Sequence, residues 1–113
     1  MKAIFIVLLI IMMTAIFPLP IESNQIPVKI KFQELKLKIL NCESGLKHHN
    51  IWGDNHKSYG IAQFQLRTFN YLKDKASMPK LKWKSRNDQL WLFDWSLRNG
   101  YEKNWTCYRK CTG

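Results

Sequence analysis

The chain has 113 residues, room for one ordinary domain but not two. Five Trp, six Phe and four Tyr exclude a wholly disordered chain, because aromatics supply large buried area. Eighteen Lys and Arg stand against eight Asp and Glu, a formal net charge of +10, and three Cys are too few for a dense disulfide scaffold. No phosphate-cradling glycine loop and no C-x-x-C zinc pair occurs, so no cofactor or metal is expected.

Met1-Lys2 precedes an apolar run from Ala3 to Phe17, broken by Thr14 and followed by Pro18 and Pro20. As a helix that run reaches roughly 22 Å at about 1.5 Å per residue, short of the roughly 30 Å hydrocarbon core. Residues 1–23 therefore read as a secretory signal peptide. No A-x-A cleavage site follows, Ile21-Glu22-Ser23 being the nearest fit, so an uncleaved N-terminal membrane anchor stays open. Either reading places residues 24–113 outside the cytoplasm, where a disulfide persists. The excess of basic residues draws such a protein to polyanions: an envelope polymer, a membrane surface or nucleic acid. It selects none of them. Aromatic RNA-reading strips are absent, so no specific nucleic-acid partner is expected.

Residues 24–31 read as a lead-in. Phe32, Leu35, Ile39 and Cys42 fall on one helical face, widened by Leu37 and Leu40, and predict a helix over about 31–43 with Gly45 as its stop. Glu43 then sits on the last turn, at the edge of an apolar surface. Residues 45–59 suit a long loop or a short hairpin around Gly53-Asp54. Thr68 is placed to cap a helix to about Ala76, with Phe69 and Leu72 inward. Met78 to Ser85 reads as an exposed connection. Asn87 is placed to cap a helix over Asp88–Asn99, with Leu90, Phe93 and Leu97 on one face and Trp91 and Trp95 beside it. No multi-strand pattern and no repeat stands out. The tail carries Tyr101, Trp105, Cys107 and Cys111, with the last two spaced to compete as disulfide partners if helical.

Cys42-Glu43-Ser44-Gly45, Ser58-Tyr59-Gly60-Ile61-Ala62-Gln63-Phe64 and Thr68-Phe69 follow in that order. This set resembles the lysozyme-like superfamily, especially bacterial lytic transglycosylase domains and the related resuscitation-promoting-factor domains. The resemblance covers about residues 31–108. It implies an α+β, predominantly α-helical fold with a substrate cleft over residues 24–113. It also implies a glycosidic-bond cleavage of peptidoglycan strands, with anionic wall polymers as further partners. The membrane enters only through the N-terminal segment. The family's Ala-Tyr-Asn-Ala-Gly motif is missing; Asn99-Gly100-Tyr101 is a partial echo. A Cys before the catalytic Glu looks like the resuscitation-factor variant, which implies a Cys42–Cys107 bridge and leaves Cys111 over.

The chemistry suits the residues. Cleaving a glycosidic bond needs a carboxylic acid that is still protonated near neutral pH. An exposed Glu ionises near pH 4.3, so Glu43 needs apolar surroundings, for which Trp52, Tyr59 and Phe64 are candidates. Lys47, His48, His49 and Lys57 would oppose that shift if close. By resemblance, Gln63 bonds a sugar N-acetyl group, Ser44 orients Glu43 or the sugar, and Tyr59 lines the site. Trp52 and Trp105 are candidates for stacking on sugar faces, with core packing the plainer role for at least one. The reaction implied by resemblance is the lyase one, in which the muramic acid 6-hydroxyl closes on C1. A hydrolase usually needs a second carboxylate. Asp54 is the nearest, although a turn after Gly53 is its plainer role. His48, His49 and His56 read as loop histidines.

Overall fold

A computed structural model describes the backbone of residues 20–113 and the side chains of residues 28–113. The apolar segment expected to serve as signal or anchor lies outside the described residues. The chain divides into two compact units, residues 1–32 and 33–113. To the described part the first contributes the opening of helix α1, with Val28 and Ile30 exposed.

Helix α1 spans Pro20–Ser44, so the expected lead-in over 24–31 is helical. That stretch includes Pro27, which has no N–H to donate, so the helix forms there with one intrahelical hydrogen bond missing. The C-terminal stop is as expected: Gly45 takes φ +66°, a left-handed conformation open to glycine without a Cβ penalty. Ile39 and Leu40 are buried, and Leu35 packs against the core. Leu37 points outward, contrary to its expected part in the apolar side.

Three strands of two residues each follow: β1 Trp52–Gly53, β2 Ser58–Tyr59 and β3 Phe64–Gln65. They form an antiparallel sheet in chain order, with Trp52 opposite Tyr59 and Tyr59 opposite Phe64. The hairpin around Gly53-Asp54 was legible, but the sheet was not, because two residues complete no alternation.

Helix α2 is Leu66–Lys75, α3 is Arg86–Arg98, a 3-10 turn covers Glu102–Asn104, and α4 is Thr106–Thr112. Both expected caps are displaced. Gln65 precedes α2, so Thr68 lies inside it. Ser85, not Asn87, caps α3, its hydroxyl accepting the Asp88 N–H at 3.2 Å. Phe69 and Leu72 are fully buried as expected. On α3 the buried stripe is Gln89, Leu92, Phe93 and Ser96, while Trp91 is exposed. This is one residue off the expected face, because the core accepts Gln89 as a bonded polar group. The connection before α3 is not wholly exposed either. Leu81 is buried, and the Trp83 indole donates to the Phe64 carbonyl at 2.7 Å.

Trp105 joins these elements. It is 4% exposed, meets Phe64 and Phe93 edge-on at 5.3 and 5.0 Å, and donates to the Ala62 carbonyl at 2.8 Å. Asp94 on α3 ties to Lys36 on α1 at 2.7 Å and to Arg98 at 2.8 Å. Burial raises its proton affinity, but the Arg98 and Lys36 bonds outweigh that and hold the carboxyl below its ordinary value. The Cys42–Cys107 disulfide is present, with Cα atoms 5.9 Å apart across 65 residues. Closing a loop of that length is worth about 4 kcal/mol in the chain-entropy account. Cys111, one turn beyond Cys107, is free and partly buried. The described residues are α+β and mainly helical. None of their helices is long and apolar enough to cross a membrane.

Candidate active site

Glu43 is placed by the two ends of its fold unit. Helix α1 carries it to the last turn, and the disulfide at Cys42 holds that turn against α4. There the Cys107 backbone N–H donates to Glu43 Oε1 at 3.3 Å. The carboxyl opens into a cavity of about 150 Å³. Phe64 and Trp105 give it apolar walls; Asp54, Ser58, Gln63, Gln65, Thr68, Asn104 and Thr106 supply polar ones.

Burial is the largest influence on Glu43 and pushes its carboxyl above the ordinary value. The Cys107 N–H bonds the carboxylate and pulls the other way. The Asp54 charge raises it further and the Lys110 charge lowers it. The opposing cation is thus Lys110 on α4, rather than the expected Lys47, His48, His49 or Lys57. The net direction is upward, as a proton donor requires.

Asp54 lines the same cavity as Glu43. Ser58, almost fully buried on β2, donates to Asp54 Oδ2 at 2.6 Å and fixes the carboxylate. The hairpin loop is strained around it: Asp54, Asn55 and His56 have φ of +51, +57 and +68°. Left-handed conformations are unfavourable for residues with a Cβ, at about 1–2 kcal/mol each, with Asn and Asp the most tolerant.

Gln63 also lines the cavity, with φ +52°. Its amide nitrogen donates to the Ile51 and Gly60 carbonyls at 3.2 and 2.9 Å, which uses both hydrogens. What remains for a ligand is the amide oxygen, which packs over Gly53, where a Cβ would collide with it.

Ser44 and Tyr59 do not line the cavity. The Ser44 hydroxyl donates to the Ile61 carbonyl at 2.7 Å, with the Leu40 carbonyl at 3.0 Å, and so pins the end of α1 to the turn before β3. Tyr59 is buried beside the site. Its hydroxyl accepts the Asn50 N–H, and its ring packs edge-on against Trp52 and Trp83 at 4.8 and 5.8 Å. Trp52 does not line the cavity either. Its ring stacks on His56 at 5.5 Å and lies under the Lys84 ammonium at 5.3 Å.

His48 is structural. Its Nδ1 accepts the Ile61 N–H at 3.0 Å, so the proton sits on Nε2, which donates to the Lys84 carbonyl at 2.7 Å. Beside it lies Gln89, fully buried on α3. Gln89 accepts the Ala62 N–H at 3.1 Å and donates to the Tyr59 and Trp83 carbonyls at 2.8 and 2.7 Å. It holds the turn that carries Gln63 and Phe64. Gly60, at φ +86°, leaves room for it, since a Cβ there would meet the Gln89 amide and His48. No local signal marks Gln89 as buried, because its three partners lie in other elements. Thr68, expected as a cap, lines the cavity instead.

Comparison with family models, with curated proteins and with solved structures returns no match.

Proposed function

We propose that this chain is an exported, lysozyme-like enzyme that cleaves the β-1,4 bond between N-acetylmuramic acid and N-acetylglucosamine in peptidoglycan, with Glu43 as its acid. One observation carries the reading. A half-buried carboxyl with raised proton affinity opens into a mainly polar cavity to which Phe64 and Trp105 add aromatic walls, with a second carboxylate on the same cavity. Phe64 and Gln63, quoted within the motif set, also line that cavity with Glu43.

In the transglycosylase route Glu43 gives its proton to the departing glycosidic oxygen. As a carboxylate it then takes the proton of the muramic acid 6-hydroxyl, which closes on C1 and leaves a 1,6-anhydro end. A hydrolytic second reading is favoured by Asp54, which shares the cavity and is oriented by Ser58. There Asp54 would activate a water on the far side of the sugar. Mass spectrometry of digested peptidoglycan decides between the routes: anhydro ends support the lyase, ordinary reducing ends the hydrolase. Zymography with Glu43→Gln tests what both share. Clearing that survives the substitution overturns the enzymatic reading and leaves a cationic, non-enzymatic action; binding without clearing by the wild type leaves a glycan-binding relic.

A further inference from the structure

Ile61 and Ala62 form the turn that leads into β3, and among the described residues four side chains hold its backbone. The Ser44 hydroxyl at the end of α1 donates to the Ile61 carbonyl at 2.7 Å. The Gln89 amide oxygen on α3 accepts the Ala62 N–H at 3.1 Å, and the Trp105 indole donates to the Ala62 carbonyl at 2.8 Å. The fourth is His48, which accepts the Ile61 N–H at 3.0 Å. Gln63 and Phe64 follow directly, and both line the Glu43 cavity. Of the four supports, His48 alone changes its charge between pH about 5 and 8.

Both ring nitrogens of His48 meet backbone groups whose roles are fixed. The Ile61 N–H only donates, and the Lys84 carbonyl, 2.7 Å from Nε2, only accepts. The ring therefore fits with a single hydrogen, on Nε2. A second proton goes to Nδ1 and sets N–H against N–H. Turning the ring over puts carbons where both nitrogens stood, so no rotation recovers the bonds. Ile61 is 2% exposed, which keeps water from its amide once His48 lets go. Around the ring stand Tyr59, edge-on at 5.3 Å, the Lys84 ammonium over the Tyr59 ring, and Lys47 and His49 beside it in the chain. Helix α3 brings the uncharged Gln89 beside it, while the Asp88 carboxylate on that helix accepts the Lys82 N–H at 2.8 Å.

From this geometry we propose that His48 is a pH-dependent positioning residue for the Glu43 cavity. Neutral, it holds the turn that presents Gln63 and Phe64; with a second proton it releases Ile61, and that wall loosens. The effect on the turn follows from the hydrogen bonds alone, and the effect on turnover rests on the glycan-cleaving reading of Glu43. An unfolded chain takes up the second proton near pH about 6.5, and the folded turn opposes it. This support is therefore present above that value and lost as pH falls. Activity gains an acid limb from His48 besides the alkaline limb from Glu43.

The test compares the protein at pH about 7.5 and about 5.5, on either side of an ordinary imidazole. Hydrogen exchange at the Ile61 amide is read against the Ala62 amide, whose partner Gln89 does not titrate. After correction for the intrinsic effect of pH, Ile61 is expected to lose about tenfold in protection at the lower pH while Ala62 keeps its own. His48→Asn sets an amide oxygen near the Nδ1 position and does not titrate. On peptidoglycan strands its kcat is expected to stay within about twofold between the two pH values, where that of the wild type falls about fivefold or more. If the variant does not fold, exchange in the wild type decides alone. Ile61 protection that ignores pH, or an acid fall in turnover that His48→Asn retains, overturns the role of His48 and leaves that of Glu43 standing. Protection lost at low pH in a protein that cleaves no strand at either pH overturns the enzymatic reading and keeps the response of the turn.

Discussion

At Glu43 two influences of opposite sign meet. Withdrawal from water favours the neutral acid, and the Cys107 N–H favours the carboxylate. The folded state holds this proton more tightly than the unfolded chain does. Its contribution to stability is therefore fully present below the unfolded value near 4.5 and is lost as pH rises through the higher folded value. Glu43→Gln removes that loss. Thermal melts should show the variant level with wild type below pH about 4 and more stable at pH about 7, while activity is gone at both. Asp54 raises Glu43 through its charge, so Asp54→Asn should move the alkaline limb of the pH–rate profile downward. Asn keeps the left-handed backbone comfortable and still accepts from Ser58, which isolates the charge. If Asp54 handles water, the same variant should lose about 100-fold or more in turnover; if a 6-hydroxyl attacks, it should stay within about tenfold. Steady-state rates on defined glycan strands separate these outcomes.

Among the elements, helices were legible where one face repeats over several turns. The Phe69–Leu72 pair and the glycine stop at Gly45 stood out in the sequence. The start of α3 was misplaced although Ser85-Arg86-Asn87-Asp88 is a serine cap with an acid three residues on, because Asn87 offered an equally good cap. Of the motif residues, Glu43, Gln63 and Phe64 line the cavity, whereas Ser44 and Tyr59 bond to the scaffold, and spacing cannot say which way a side chain turns. Gln89 was invisible for a related reason: its role exists only once the turn at Tyr59–Ala62 and the chain at Trp83 reach it. Gln89→Leu would orphan one N–H and two carbonyls, each at about 1–3 kcal/mol. Urea denaturation should show a loss of several kcal/mol, and activity should fall with it as Gln63 and Phe64 lose their support.

For the molecule as a whole, the Cys42–Cys107 link decides how local changes are felt. It joins the first described helix to the last, and both its half-cystines adjoin the acid: Cys42 precedes Glu43 in the chain, and Cys107 bonds it. A Cys42→Ser/Cys107→Ser variant should melt earlier by an amount matching about 4 kcal/mol. Where it still folds, loosening of the Cys107 N–H should carry the alkaline limb of its pH–rate profile upward. A variant that melts earlier with its pH profile unmoved would confine the bridge to stability.

The same joint has a consequence for biosynthesis. Glu43 is made early, while its amide partner, its neighbour's bridging sulfur and its indole wall come at positions 105 and 107. A nascent polypeptide emerging amino end first therefore leaves Glu43 without these surroundings until residue 107 is delivered, and a chain terminated upstream of that point never acquires them.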